Sequence, residues 1–134
     1  MSDEHPVHRI QIQMRFGDTD ALGHVNNASF ASYAEVARLD FLRLFGKSVR
    51  SLILASLHID FRRQVKFDES VHVETYVQRL GTTSITLVQT VFAGDERAAD
   101  VRSTVVYFDY ANGKSRELTP EMRESLAPFV APAS

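Results

Sequence analysis

The chain has 134 residues, of which 44% are hydrophobic and 24% charged, a composition that supports one packed domain and differs from that of a disordered chain. Its 15 basic and 17 acidic residues are mixed along the sequence, so we expect no positive field that would hold a nucleic acid. The absence of cysteine excludes a disulfide framework, a thiolate nucleophile and a cysteine zinc site.

The N-terminal sequence "MSDEHPVHRI" has neither the basic start nor the apolar stretch of a signal peptide, and no apolar run has the length of a membrane span. We therefore expect a cytoplasmic protein with no membrane partner. Both ends, about residues 1–6 and 129–134, are expected to fray around a single domain that occupies residues 1–134.

The first predicted elements are a strand and a long helix. Apolar and polar side chains alternate over residues 9–16, which is the period of a half-buried strand. Between residues 30 and 45 apolar residues recur at spacings of three and four, which predicts one amphipathic helix of roughly 20 residues. Asn26 or Asn27 can cap its start, and Gly46 can end it.

The rest of the chain is predicted to be mostly β-structure. Strands are expected over residues 57–67, 71–77, 83–93 and 98–110. Thr119 directly before Pro120 predicts a short capped helix through about Ala127. This order predicts an α+β fold in which a mostly antiparallel sheet of about five strands packs on one long helix.

A single helix can cover only one face of such a sheet. Apolar residues are also expected on the second face, and at least one edge strand is left unprotected. The residues concerned are Val88, Phe92, Val106 and Phe108. We therefore expect the protein to form an oligomer.

The polar segment between the first strand and the helix, "FGDTDALGHVNN" at residues 16–27, resembles the active-site junction of the 4-hydroxybenzoyl-CoA thioesterase-like acyl-CoA thioesterases. The likeness spans nearly the whole chain, and "HIDFRRQVKFDE" at residues 58–69 is similar to the family's central strand and the turn after it. The resemblance implies a hotdog fold, in which a curved antiparallel sheet wraps around the long helix. It also implies homodimers paired edge to edge, and often a homotetramer made of two dimers.

The resemblance also implies which carboxylate is reactive, since Asp20 matches the family's catalytic aspartate. Hydrolysis of a thioester needs such a carboxylate near the carbonyl carbon and hydrogen-bond donors near the oxygen. The backbone N–H groups of about His24 to Asn27 are expected to be free at the helix start, and that of Asn27 is assigned to catalysis. Asp20 can attack the carbonyl or activate a water, and the sequence does not choose between these roles.

Several neighbours of Asp20 are expected to contact substrate. Gly23 would let the backbone approach it closely. The others in the junction are His24, Val25 and Asn26. Asp18 is expected instead to stabilise the turn or to pair with Arg15.

Coenzyme A carries phosphates, so basic and hydroxyl groups are expected along one rim of the site. The candidates are Arg62, Arg63, Arg79, Thr82, Thr83 and Ser84. Glu35 is expected to form a surface pair with Arg38. The five histidines lack metal-motif spacing and no Gly-x-Ser-x-Gly motif is present, so neither a metal nor another cofactor is expected.

These features predict an acyl-CoA thioesterase, with an acyl carrier protein as an alternative carrier of the acyl group. Two other functions stay open. A non-catalytic acyl-CoA-binding module would use the same groove without hydrolysis. A hotdog dehydratase or hydratase would need a histidine paired with an acidic residue, and His24 has no obvious partner in the sequence.

Overall fold

The computed structural model describes residues 6–132. Its strands are β1 (His8–Ile12), β2 (Leu52–Phe61), β3 (Val71–Leu80), β4 (Ser84–Ala93), β5 (Glu96–Asp109) and β6 (Lys114–Ser115), and its helices are α1 (Asn27–Leu42) and α2 (Pro120–Leu126). Within this part of the chain the strands pair antiparallel in the order β1-β3-β4-β5-β2, with the short β6 on β5. The expected antiparallel sheet of about five strands is confirmed, with β6 as an additional short strand.

Helix α1 starts at the predicted cap but ends earlier than predicted. The side-chain oxygen of Asn26 accepts a hydrogen bond from the backbone N–H of Ser29 at 2.9 Å, which satisfies one of the free donors of the first turn. The helix is 16 residues long, roughly 24 Å. It ends at Leu42, after which 3-10 turns continue over Arg43–Ser51. Gly46 lies inside that segment at a φ of 57°, so it kinks the 3-10 turns and does not end α1.

One face of α1 packs into the concave side of the sheet. Its buried residues include Phe30, Ala34, Ala37 and Phe41, and the two alanines let the helix axis approach the strands closely. Gln89 of β4 reaches this interface, where its amide donates to the carbonyl of Ala34 at 3.0 Å. This contact fixes the helix on the middle of the sheet.

Arg38 differs from the sequence expectation. Only 5% of it is exposed, so it does not lie on the surface. Among the described residues no ion pair within 4.0 Å joins it to Glu35, and burial lowers the pKa of Arg38. The expected surface pair is therefore not formed, because Glu35 is exposed while the guanidinium is turned inside.

Two predicted strands end earlier in the structure than in the sequence pattern, and β2 also starts earlier, at Leu52. β1 ends at Ile12, and Phe16, expected at a buried strand position, is 79% exposed in a 3-10 turn. β2 ends at Phe61, so Val65 and Phe67 belong to the β2–β3 loop, residues 62–70. Val65 is fully buried there because it pairs with the polar junction, as described below. The alternation of apolar and polar residues in the sequence therefore continues past the end of each strand.

The outer strands β1 and β2 are the two edges of the sheet. β2 carries the exposed apolar side chains of Leu54, Leu57 and Phe61, which are 41%, 40% and 47% exposed. An apolar edge of this kind is suited to association with another strand. The oligomer stays a prediction that this edge supports.

The C-terminal segment packs on the domain. Thr119 caps α2, since its hydroxyl accepts from the backbone N–H of Met122 at 3.1 Å. Beyond α2, the ring of Phe129 meets that of Phe41 and the N–H of Ala131 donates to the carbonyl of Val77 at 2.9 Å. Residues 129–131 thus contact α1 and β3, and the expected fraying of the C-terminal end stays a prediction. Residues 1–5 and 133–134 lie outside the described part of the chain.

Candidate active site

The junction, residues 16–27, folds into a tight loop that closes on Asp20. The backbone N–H of Asp20 donates to the carbonyl of His24 at 2.7 Å, and that of Gly23 donates to the carbonyl of Asp20 at 3.1 Å. Gly23 has a φ of 83°, a left-handed conformation that favours glycine. This turn places the side chain of Asp20 on the surface at the start of α1.

The carboxylate of Asp20 is held by its own loop. One of its oxygens accepts from the backbone N–H of Leu22 at 2.9 Å and from that of His24 at 3.2 Å. These hydrogen bonds, the one from His24 first, hold the pKa of Asp20 below its usual value. The side chain is therefore ionised at neutral pH, with a second oxygen free to face a reactant.

The junction docks against the β2–β3 loop. The N–H of Val25 donates to the carbonyl of Val65 at 2.7 Å, and the N–H of Phe67 donates to that of Gly23 at 3.2 Å. His24 and Lys66 form an isolated antiparallel bridge between these two contacts. The two loops therefore stand side by side and enclose a cleft.

The cleft has a volume of about 440 Å³. From the junction it is lined by the predicted residues Asp20, His24, Val25, Asn26 and Asn27. Gly23 belongs to the same loop but does not line the cleft. The Nδ1 atom of His24 is buried and, among residues 6–132, has no hydrogen-bond partner.

The far wall of the cleft comes from α1, the end of β2 and the loop after it. It consists of Phe30, Phe61, Arg62, Arg63 and Gln64. The rings of Phe30 and Phe61 meet edge to face at 5.6 Å and form an apolar wall beside Asp20. Sequence reasoning missed these two as site residues. The available signals were the position of Phe30 in the first turn of α1 and that of Phe61 in the segment 58–69, which resembles the family's central strand.

The two arginines of the wall already have carboxylate partners. Arg62 donates to Asp100 at 2.7 Å, and Arg63 pairs with Glu69 at 2.6 Å and with Glu96 at 2.9 Å. The structure thus brings two of the three predicted arginines to the cleft, in ion pairs that orient their guanidinium groups. A phosphate there would share each arginine with a carboxylate.

The remaining rim candidates lie at the other end of the sheet. Arg79 is near the end of β3, and Thr82, Thr83 and Ser84 follow at the β3–β4 turn. The strands β3 and β4 have ten residues each, roughly 30 Å, and the cleft lies beyond their opposite ends. Within one subunit these four residues are not part of the cleft, and their binding role stays a prediction.

The free amides at the start of α1 are fewer than the sequence predicted. The N–H groups of His24, Val25 and Asn26 donate to Asp20, Val65 and Asp18. In the described chain the N–H of Asn27 has no hydrogen-bond partner. One predicted donor, on the first residue of the helix, therefore has no partner within this part of the chain, and its residue lines the cleft.

Asp18 lies beneath the junction, where the sequence analysis expected a turn or an ion pair with Arg15. The guanidinium of Arg15 reaches its carboxylate at 3.0 Å, so the ion pair is present. Asp18 is buried and does not line the cleft. It therefore supports the loop from below and does not face a ligand.

Residues 6–132 contain neither a cluster of metal ligands nor a membrane-spanning helix. No group of three or more His, Asp or Glu side chains is placed to hold a metal ion there. No helix in that part of the chain is long and apolar enough to cross a membrane.

Comparison with known proteins identifies the family. A family model for the thioesterase-like superfamily matches residues 14–126. The long-chain acyl-CoA thioesterase FadM of Escherichia coli is 27% identical over 129 residues, which are 90% of this chain and 97% of that protein. The match to the family model includes the junction and both loops of the cleft.

Solved structures agree with this assignment. A thioesterase from Thermus thermophilus, complexed with coenzyme A and Zn, has a TM-score of 0.84 and 31% identity, covering 93% of this chain and 94% of that one. A predicted thioesterase from Bacillus stearothermophilus has a TM-score of 0.89 at 24% identity, covering 96% and 100%, and supports the fold. The chain therefore belongs to the thioesterase-like superfamily, has the hotdog fold and is a thioester hydrolase.

Proposed function

We propose that the protein hydrolyses acyl-CoA thioesters and that Asp20 is its reactive carboxylate. The observation that carries this proposal is the side chain of Asp20, which is exposed, ionised and held by two backbone N–H groups in a cleft that Asn27 also lines. A thioester carbonyl between these groups would meet a carboxylate on carbon and a donor on oxygen.

The lowered pKa favours Asp20 as nucleophile. A carboxylate that stays ionised far below neutral pH is a weak base, so it is poorly suited to taking a proton from water. Attack by its free oxygen forms a mixed anhydride with the acyl group and releases the thiolate of coenzyme A, which then takes up a proton. Water cleaves the anhydride and restores Asp20. The N–H of Asn27 stabilises the negative oxygen that forms during the attack.

The walls of the cleft suggest how substrate binds. Phe30 and Phe61 would contact the apolar part of the acyl chain beyond its carbonyl, and Arg62 and Arg63 would face the phosphates. The Thermus thioesterase is complexed with coenzyme A, and FadM is a long-chain acyl-CoA thioesterase. Both similarities support this substrate class. An acyl carrier protein would present the same thioester.

We further propose a homodimer, which can assemble into a homotetramer, in the cytoplasm. The apolar edge of β2 supports pairing of two sheets. Four rim candidates lie away from the cleft of their own subunit: Arg79, Thr82, Thr83 and Ser84. In a dimer or tetramer they would contact the nucleotide bound in the cleft of a neighbouring subunit. His24, Val25 and Asn26 would contact the substrate from the junction, while Gly23, which does not line the cleft, would shape the loop that carries Asp20.

The test is the release of free thiol from acyl-CoAs of increasing chain length and from aromatic acyl-CoAs. Wild type is compared with Asp20→Asn and with Asp95→Asn, which alters an exposed aspartate in the β4–β5 turn. We expect Asp20→Asn alone to lose activity, by about 10²-fold or more.

Binding of a non-hydrolysable acyl-CoA analogue separates the alternatives. A protein that binds the analogue tightly but releases no thiol from any acyl-CoA or acyl carrier protein would be a binding module. Hydration of an enoyl-CoA that depends on His24 would instead indicate a hydratase. Full thiol release by Asp20→Asn would overturn the assignment of the reactive carboxylate.

A further inference from the structure

Asp18 has a second, buried partner on helix α1. The hydroxyl of Tyr33 donates to the carboxylate of Asp18 at 2.9 Å, across 15 residues of sequence. Both residues are 4% exposed. A hydrogen bond to a buried carboxylate is costly to break, because the carboxylate left behind has no water to replace the lost donor.

Both oxygens of the ionised Asp18 side chain accept hydrogen bonds. The oxygen that receives the Tyr33 hydroxyl also accepts the backbone N–H of Arg15 at 2.9 Å, and the other oxygen accepts the Arg15 guanidinium at 3.0 Å. Burial by itself would raise the pKa of Asp18, but these hydrogen bonds together hold it below its usual value. Burial and the neighbouring carboxylate raise the pKa of Tyr33, so its hydroxyl stays a donor.

The backbone of Asp18 closes the loop that carries Asp20. Its carbonyl accepts the N–H of Asn26 at 3.0 Å and the hydroxyl of Ser29 at 3.1 Å. Residue 18 and residue 26 are thereby joined, and Asp20 lies on the loop between them. Any shift of Asp18 therefore moves both ends of this loop against the start of α1.

Tyr33 reaches this point from outside the active-site cleft. With Asp18 it lines a separate cavity of about 280 Å³ between β1 and α1, together with residues such as Gln11, Ser32 and Val36. The two cavities have no lining residue in common. Tyr33 therefore does not touch a substrate bound in the cleft.

We propose that Tyr33 and Asp18 are positioning residues for hydrolysis, a pair whose buried hydrogen bond holds the Asp20 loop against the N–H of Asn27. This inference rests on the proposed role of Asp20. Tyr33 acts through Asp18 and the loop, so its removal affects the chemical step more than the binding of substrate.

The first test is the steady-state kinetics of Tyr33→Phe, which keeps the ring and removes the hydroxyl. The matched control is Tyr110→Phe, which removes a hydroxyl from a side chain that is 65% exposed. We expect kcat of Tyr33→Phe to fall about tenfold with KM changed less than about twofold, and the control to match wild type.

The pH profile gives a readout that loss of global stability would not move. The hydrogen bonds from His24 and Leu22 to Asp20 depend on the loop geometry. Their loosening would raise the pKa of Asp20 toward its usual value, so the acidic limb of kcat/KM is expected at higher pH in Tyr33→Phe than in wild type. An unchanged kcat and acidic limb, with only a lower melting temperature, would overturn the proposal.

Hydrogen exchange tests the same pair without turnover. In Tyr33→Phe, amides of residues 19–25 are expected to exchange faster, while those of β3 to β5 keep the wild-type rate. Unchanged exchange of residues 19–25 would refute the positioning role. This result does not depend on whether Asp20 is catalytic. Failure of the proposed function would appear differently, as wild-type turnover that does not depend on Asp20.

A double-mutant cycle with Asp18→Asn completes the test. If the two residues act as a unit, kcat of the double variant should be less than about twofold below that of Asp18→Asn alone. Fully multiplicative effects on kcat would show that the two residues act separately and would overturn the pair. If Asp18→Asn does not fold, the kinetics and hydrogen exchange of Tyr33→Phe decide whether the proposal holds.

Discussion

The backbone N–H of Val25 donates to the carbonyl of Val65 at 2.7 Å, and this contact joins the junction before α1 to the loop after β2. Both side chains are buried, so the bond is shielded from water. On one side of it lies Asp20, and on the other lie the arginines and Phe61 of the far wall. The active-site cleft exists because these two loops meet.

Activity should persist well into the acid range. Both mechanisms open to Asp20 need an ionised carboxylate, and its pKa is held below the usual value of 3.8. We therefore expect kcat/KM to stay level from pH 7 downward and to be lost only below that value, or where the protein unfolds first. The check is kcat/KM from pH 4 to 8, with folding followed by circular dichroism. An acidic limb near pH 6 to 7 in folded protein would mean that Asp20 is not the group whose ionisation controls activity.

The backbone donor of Asn27 can be removed without breaking the helix. Asn27 is the first helical residue and Asn26 has extended backbone angles, φ −74° and ψ 158°, so proline is tolerated at position 27. Asn27→Pro deletes the N–H, and we expect kcat to fall by about 10²-fold, the usual cost of one oxyanion donor. Asn27→Ala keeps the N–H and should stay within a few-fold of wild type. Equal activity of the two variants would exclude this amide from catalysis.

Phe61 should affect long acyl chains more than short ones. Phe61 lines the cleft, is about half exposed and packs its ring against that of Phe30. A bound acyl chain would cover the exposed part of the side chain. Phe61→Ala is expected to raise KM for long-chain acyl-CoAs about fivefold, which corresponds to about 1 kcal/mol of lost apolar burial. KM for acetyl-CoA should not change. Leu39→Ala, which shortens an exposed apolar side chain on α1, is the control. A uniform rise in KM for all chain lengths would contradict this role.

Glu69 should make stability depend on acid pH. It accepts two hydrogen bonds from Arg63 and one from the backbone N–H of Lys66, which lower its pKa to about 2. A depressed carboxyl pKa stabilises the fold above the unfolded value of about 4.3. That contribution is lost as pH falls toward about 2.

Denaturation of Glu69→Gln measures this contribution. At pH 7 the free energy of unfolding should fall by about 1 to 2 kcal/mol, a figure that allows for solvent screening of a partly exposed pair. The difference from wild type should shrink steadily below about pH 4. Glu117→Gln, at an exposed position, should show neither effect. A difference that is the same at pH 7 and pH 3 would mean that the ion pair is not its source.

Local patterns were enough to predict where both helices start and where β3, β4 and β5 lie, and the resemblance of residues 16–27 to a known family identified the junction. The Asn26 cap, the Thr119–Pro120 start of α2 and the contact of Asp18 with Arg15 all follow from residues within three positions of one another. Such contacts depend on backbone geometry that neighbouring residues set themselves. They could therefore be predicted before any fold was known.

Only the tertiary structure decided where β2 ends, which amides stay free and what surrounds Asp20. The period of two continued through Val65 and Phe67, but the chain leaves the sheet at Phe61 because the β2–β3 loop pairs with the junction. That pairing uses the N–H of Val25, and the hydrogen bond from Tyr33 to Asp18 likewise spans 15 residues. No local pattern encodes these contacts, because they form only when α1 and the strands pack together and close loops between distant segments.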